Sequence, residues 1–167
     1  MKQELELNLV KKYPNLFKDY RGDMRQTCMA WGMCCGDGWY KIINSIGYQL
    51  KCLGIEDKVI AAQVKEKFGG LRFYYDTENM PMSIWDWWPQ NKYIRWIWYR
   101  SFSRWARKYL TKARILIFSK TIIEQLDDII REAEDKSYST CEQCGADGET
   151  RSDGWIRTLC DRCYEDD

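Results

Sequence analysis

The hydrophobic positions in the first third of the chain predict a helix. Apolar residues spaced three and four apart indicate an amphipathic helix from about Gly38 to Leu53, with a stripe of Ile42, Ile43, Ile46, Leu50 and Leu53. Asp37 is expected to cap its first turn, and Gly54 is expected to end it. A shorter helix is expected over residues 5–12, where Tyr13-Pro14 would break it.

Two alternating runs follow this helix and predict a β-hairpin. They cover residues 59–67 and 71–75 and are separated by the turn residues Gly69-Gly70. Strict alternation would place three residues of the first run on one face, opposite three of the second: Ile60, Ala62 and Val64 opposite Leu71, Phe73 and Tyr75.

Helical spacing returns in the second half of the chain. Within residues 81–120 it gives an aromatic stripe beside a basic side, so a basic amphipathic helix is expected there. A further apolar stripe runs from Ile115 to Ala133, and Thr121 with Glu124 fits a capping box. The candidate interaction surface of the basic helix comprises Trp96, Arg100, Arg104, Trp105, Arg107 and Lys108.

The distribution of charge along the chain indicates three segments. The net charge of +1 is a cancellation, because residues 1–80 carry 12 basic and 10 acidic side chains, residues 81–120 carry 9 and 1, and residues 121–167 carry 5 and 14. We therefore expect a helix-and-hairpin core over 1–80, a basic aromatic helical insertion over 81–120, and an acidic helix with a metal-binding module over 121–167.

The strongest chemical signal is a pair of Cys-x2-Cys motifs near the C-terminal end. Cys141, Cys144, Cys160 and Cys163 have the spacing of a four-thiolate Zn²⁺ site. The chain has no histidine, so a mixed Cys/His site and the histidine-dependent triads and dyads are excluded. Two disulfides are the alternative, and the absence of an N-terminal signal sequence favours metal in a reducing cytoplasm. Four thiolates leave no position for water, so the Zn²⁺ is expected to be structural, in a zinc-ribbon-like module.

A second group of residues has two interpretations. Glycine-rich turns beside cationic side chains are typical of anion-binding sites. One interpretation is therefore a ligand-binding site formed by Gly36, Asp37, Gly38, Trp39, Lys67 and Arg72. The alternative, which we favour, is helix capping and a hairpin turn. The remaining cysteines, Cys28, Cys34, Cys35 and Cys52, are expected to be buried thiols.

The aromatic segment 81–120 is open to three interpretations. Tryptophan and arginine together suit a membrane surface or single-stranded nucleic acid. We favour packing on the rest of the protein or on a partner, because aromatic stripes usually form cores or interfaces. No uncharged apolar run approaches the roughly 18 residues of a membrane span.

Four stretches resemble a group of small, uncharacterised zinc-binding proteins of tailed phages and prophages. They are Cys35–Tyr40 (CGDGWY), Gln63–Tyr74 (QVKEKFGGLRFY), Ser137–Cys144 and Gly154–Cys160. The resemblance covers about residues 30–76 and 121–163 and implies one compact core of helix, hairpin and Cys-rich module. Residues 81–120 replace a short loop of that group and look like an insertion.

The combined expectation is an α+β protein without enzymatic activity. It would be a phage or prophage accessory protein in the host cytoplasm that binds a host or phage macromolecule, with a protein partner favoured. The alternatives are a nucleotide- or nucleic-acid-binding protein and, more weakly, a peripheral membrane protein. Catalysis would have to come from carboxylates such as Asp37, Glu66 and Asp76, whose spacing does not argue for it.

Overall fold

The computed structural model describes residues 1–78, 121–152 and 154–166. Its helices are α1 (Gln3–Lys12), α2 (Tyr40–Cys52), α3 (Ile122–Ser137) and α4 (Asp161–Glu165), and its strands are β1 (Met33–Cys34), β2 (Val59–Lys67), β3 (Gly70–Thr77), β4 (Glu149–Arg151) and β5 (Arg157–Leu159). The protein is therefore α+β, as predicted. The sites below lie in a compact unit of Met1–Met80 and Asp128–Asp167. The predicted insertion 81–120 and its interaction surface lie outside the described residues.

The helix α1 carries a buried carboxylate into the core. Glu6 is only 2% exposed, and it accepts hydrogen bonds from the Met33 N–H at 2.7 Å and the Tyr20 hydroxyl at 2.6 Å. Leu9 on the same helix is fully buried. A buried carboxylate is tolerated when such donors satisfy it, so Glu6 fixes β1 to α1.

The helix α2 forms as predicted but begins differently. A 3-10 turn over Asp37–Trp39 precedes it, so Asp37 lies inside the first turn and makes no cap. Its carboxylate instead accepts from the Lys2 N–H at 2.6 Å and pairs with the Lys2 ammonium at 3.3 Å. The predicted cap is therefore wrong, whereas Gly54 ends the helix at φ +70°, with its N–H donating to the Lys51 carbonyl.

The predicted hairpin supplies the second and third strands of a three-stranded sheet in the order β1-β2-β3. The short β1 pairs parallel with β2, and β2 pairs antiparallel with β3. The two turn residues are Phe68 and Gly69, at φ +53° and +77°, and not the predicted Gly69-Gly70. Gly70 belongs to β3, where a Cβ would come within 2.4 Å of the Tyr138 ring.

A bulge changes the predicted faces of β2. The register shifts between Ala61 and Gln63, so one extra residue separates the fully buried Ala61 and Val64. Ala62 is consequently half-buried and does not share the core face as predicted. The inward positions of β3, Leu71 and Phe73, are buried as expected.

Side chains of α3 cover the outer edge of β3. The Leu71 N–H donates to the Ser137 hydroxyl at 2.8 Å, and the Phe73 N–H donates to the Glu134 carboxylate at 3.0 Å. These bonds satisfy edge groups that would otherwise invite another strand. At the other end of α3, Thr121 and Glu124 form the predicted reciprocal capping box, at 3.1 and 2.7 Å.

Within the described ranges, no helix combines the length and the apolar character that crossing a membrane requires.

Candidate metal centre

The four cysteines predicted to bind a metal ion lie close together in the structure. The Sγ atoms of Cys141, Cys144, Cys160 and Cys163 all lie within 4.8 Å of one another, and those of Cys144 and Cys160 are 3.6 Å apart. Sulfurs on a tetrahedral Zn²⁺ with bonds of about 2.3 Å would be roughly 3.8 Å apart. A disulfide needs about 2.05 Å, and all eight cysteines are free thiols. The arrangement therefore fits one metal ion.

The first Cys-x2-Cys turn also stabilises thiolate charge. The Gly145 N–H closes it on the Cys141 carbonyl at 2.9 Å, and Gly145 adopts the positive φ of +77° that the turn requires. Burial alone would raise the pKa of Cys141, but backbone N–H groups of Cys144 and Cys160 donate to its sulfur and lower that pKa to about 6. Cys141 is thus prepared to be a ligand at neutral pH.

The second pair of ligands follows the β4–β5 hairpin. Cys160 directly follows β5, and Cys163 lies within α4. Cys141 and Cys163 are buried, Cys160 is half-buried and Cys144 is exposed. Because four thiolates complete a tetrahedral sphere, a metal held by all of them has no open position for a substrate or water.

The first turn of the metal site is hydrogen-bonded to the loop before α2. The Gly38 N–H donates to the Glu142 carbonyl at 2.7 Å, and the Gly36 N–H donates to the Glu142 carboxylate at 2.9 Å. The indole N–H of Trp39, which is fully buried, donates to the Thr140 carbonyl at 2.8 Å. The metal module and the N-terminal core are therefore fastened directly to each other.

This contact explains both glycines of the Gly36-Asp37-Gly38 motif. A Cβ on Gly36 would lie 2.2 Å from the Glu142 carbonyl oxygen, and one on Gly38 would lie 2.1 Å from the Cys141 carbonyl oxygen. Any side chain would force the two backbones apart. Sequence reasoning missed this partner, although the closely spaced glycines before a tryptophan signalled a close backbone approach.

A second contact joins the module to the hairpin turn. The Thr158 hydroxyl, which is fully buried, donates to the Gly69 carbonyl at 2.7 Å. The Thr158 carbonyl in turn accepts from the Glu142 N–H at 2.8 Å. No local pattern distinguishes Thr158, since a threonine in a short strand is common.

The six predicted ligand-binding residues take part in several different contacts. Gly36, Gly38 and Trp39 pack against the metal module, as described, and Asp37 contacts Lys2. Lys67 is exposed, with its ammonium 5.4 Å from the Phe68 ring centroid. Arg72 is held by the Tyr138 hydroxyl at 2.6 Å and by Glu134 at 3.6 Å. This distribution favours the structural interpretation of the group.

The four cysteines outside the metal cluster also differ from expectation. Only Cys35 is a buried thiol, and burial raises its pKa to about 12; Cys28, Cys34 and Cys52 are exposed, so that prediction is wrong for three of the four. Cys34 is exposed because it alternates with the buried Met33 along β1.

Glu66 lines a cavity with Glu142, and neither Asp37 nor Asp76 lines that cavity. Burial, and then the charge of Glu66, raises the pKa of Glu142.

Comparison with known proteins gives no relative. No protein-family model matches the chain, and neither a curated protein nor a solved structure matches it at a significant level.

Proposed function

We propose that Cys141, Cys144, Cys160 and Cys163 bind one structural Zn²⁺ in a zinc-ribbon-like module. The observation that carries this proposal is the convergence of the four sulfurs within 4.8 Å. Soft thiolate ligands in a tetrahedral arrangement favour zinc, with iron as the main competitor. The metal would hold together a segment whose β4–β5 hairpin pairs over only three positions, so metal binding and folding of this segment would be coupled.

We further propose that the protein is a non-enzymatic accessory protein that binds another macromolecule, as the resemblance to phage and prophage proteins suggests. A closed all-thiolate sphere supports a structural role for the metal. The motif residues Cys35–Tyr40 contain the loop that contacts the metal module, and Gln63–Tyr74 form the hairpin. Those residues are thus accounted for by the fold, so a binding function would lie on other residues of the surface.

Metal analysis of matched serine variants tests the zinc site. Wild type should contain one zinc ion per chain, and Cys144→Ser should lose most of it, because three thiolates bind far more weakly than four. Cys34→Ser is the control, since Cys34 is likewise exposed but lies outside the cluster. Stoichiometric zinc in Cys144→Ser, or none in the wild type, would contradict the proposal.

The binding function is tested by crosslinking the zinc-loaded protein in host cells. A reproducible crosslinked macromolecule supports it. Turnover of a substrate by the purified protein, abolished by substitution of a cavity carboxylate such as Glu66, would contradict it.

A further inference from the structure

The metal module has almost no apolar core of its own. From Cys141 onward, the buried residues that the structure describes comprise two cysteine ligands, one threonine and one leucine: Cys141, Cys163, Thr158 and Leu159. The cysteines and the leucine form one small cluster, against which the half-buried Cys160 packs. A segment that buries so little apolar surface cannot order its metal-binding turns by its own packing. Other contacts must therefore support the ligands.

Part of that support comes from the segment that precedes α2. The indole N–H of Trp39 donates to the Thr140 carbonyl at 2.8 Å, and the Gly38 N–H donates to the Glu142 carbonyl at 2.7 Å. Thr140 and Glu142 are the residues on either side of the ligand Cys141. These two hydrogen bonds therefore hold the backbone immediately before and immediately after one metal ligand.

A third hydrogen bond comes from the same segment. The Gly36 N–H donates to the Glu142 carboxylate at 2.9 Å, so Glu142 is held through both its main chain and its side chain. The Glu142 N–H in turn donates to the Thr158 carbonyl at 2.8 Å, which connects the first metal-binding turn to β5, the strand that leads into the second. We call the three donor residues, Gly36, Gly38 and Trp39, the clamp.

The clamp has little freedom to move. Trp39 is fully buried, so the core fixes the position of its ring. The backbone of Gly38 lies so close to the metal-binding turn that even a Cβ would overlap the backbone of Cys141 and of Gly145. Close-packed backbones of this kind have few alternative arrangements. The clamp thus defines where Cys141 lies.

Hydrogen bonds around a ligand raise the affinity of a metal site. They hold the ligand near its bound position before the metal arrives, so less conformational entropy is lost on binding. Removing one such support weakens metal binding roughly 10- to 100-fold. A contact that strengthens metal binding is also strengthened by the metal, and by the same factor, because the two equilibria are linked.

We propose that the clamp positions the zinc site and sets its affinity, and that bound zinc in turn holds the clamp closed. Trp39 acts through Thr140. Gly36 and Gly38 act through Glu142. The inference rests on the proposed zinc site. It goes beyond that site because it gives zinc an effect on the N-terminal core, more than 100 positions earlier in the chain.

The zinc affinity of the whole protein, measured by competition with a chromogenic chelator in a non-thiol reductant, tests the proposal. Trp39→Phe keeps a buried aromatic ring but removes the N–H donor, so zinc binding should weaken roughly tenfold. Glu142→Ala removes the acceptor of the Gly36 N–H and should weaken binding by a similar factor. Glu142→Gln loses the same charge but keeps a side-chain oxygen for that N–H, so it should bind zinc like wild type.

A second control separates positioning of the metal site from general stability. Ile46 is fully buried on α2, and Ile46→Val shortens a core side chain while keeping every hydrogen bond of the clamp. It should lower the urea midpoint and leave zinc affinity unchanged, because a chain that stays folded in buffer binds with its full affinity. Circular dichroism checks that each variant is folded. If Trp39→Phe is not, the two Glu142 variants decide the question.

Hydrogen exchange measures the reverse effect. Adding zinc to the metal-free protein should slow exchange of the Gly36 and Gly38 amides by about tenfold or more, because zinc strengthens the contacts that protect them. Exchange at the same rate with and without zinc would overturn the proposal.

Three affinity results would also overturn it. These are wild-type affinity in both Trp39→Phe and Glu142→Ala, a loss in Glu142→Gln as large as in Glu142→Ala, and a loss in Ile46→Val as large as in Trp39→Phe. A wild type that binds one zinc ion while both clamp variants keep its affinity defeats this inference alone. A folded wild type that binds no zinc defeats the proposed zinc site.

Discussion

Gly38→Ala tests the contact between the metal module and the core. The added Cβ would lie 2.1 Å from the Cys141 carbonyl oxygen and 2.4 Å from the Gly145 nitrogen, where real contacts of a Cβ essentially never fall below 3.0 Å. Both neighbours are backbone atoms of the metal-binding turn, so neither can rotate away. The loop and the turn must separate by roughly 1 Å.

That separation breaks hydrogen bonds. The Gly38 N–H to Glu142 carbonyl bond, now 2.7 Å, would lengthen beyond hydrogen-bonding range, and the Gly36 bond to the Glu142 carboxylate at 2.9 Å would be lost with it. At about 1 kcal/mol for each bond, with the steric strain added, the free energy of unfolding should fall by about 3 kcal/mol. This is a large part of the stability of a small domain.

Urea denaturation measures this loss of unfolding free energy. Saturating zinc is present throughout, so that bound metal contributes equally to the stability of each protein. Gly54→Ala is the control. Gly54 has a positive φ of +70° but no atom within 4 Å of its added Cβ, so it should lose only about 1 kcal/mol from backbone strain. If Gly38→Ala lost less than Gly54→Ala, the close backbone contact would be refuted.

Four further predictions concern buried side chains and the exposed Cys34. Ser137→Ala should cost about 1–2 kcal/mol in urea denaturation, because the buried Leu71 N–H loses its acceptor; an unchanged midpoint would contradict the edge contact. Glu6→Ala should cost about 3 kcal/mol, since it leaves buried donors unsatisfied, and Glu6→Gln should cost clearly less. Iodoacetamide at pH 8, followed by peptide mass mapping, should alkylate the exposed Cys34 and spare the buried Cys35. Because burial raises the pKa of Cys35 from its ordinary value of 9.0 to about 12, its contribution to stability should be complete below about pH 9 and be lost as the pH rises toward 12; a Cys35→Ala variant whose stability falls as steeply over that range would contradict this.

The sequence predicted those parts of the fold that depend on local periodicity. The apolar stripe of α2 and the two alternating runs of the hairpin identified their elements, because side-chain spacing on a helix or a strand is set by the backbone. The faces of β2 were not predictable. A single bulged residue at Ala62 reverses the alternation, and nothing in the local sequence distinguishes it from a regular strand.

The four metal ligands were also predictable, because Cys-x2-Cys spacing encodes a turn geometry that needs no long-range information. The contacts around the metal site were not predictable from the sequence. Gly36 and Gly38 donate their backbone N–H groups to Glu142, more than 100 positions later in the chain, and neither glycine has a side chain that could indicate this partner. Local turn chemistry likewise favoured Gly69-Gly70 as the turn, whereas packing against Tyr138 requires Gly70 within the strand.

The most direct test of the account is X-ray absorption spectroscopy at the zinc edge of the purified protein. A closed four-thiolate site predicts four sulfur scatterers at about 2.3 Å and no nitrogen or oxygen in the first coordination sphere. The chain has no histidine, so a nitrogen or oxygen scatterer near 2.0 Å would mean a coordinated water, carboxylate or exogenous ligand. That result, or a folded protein without bound metal, would contradict the structural role assigned to the cluster.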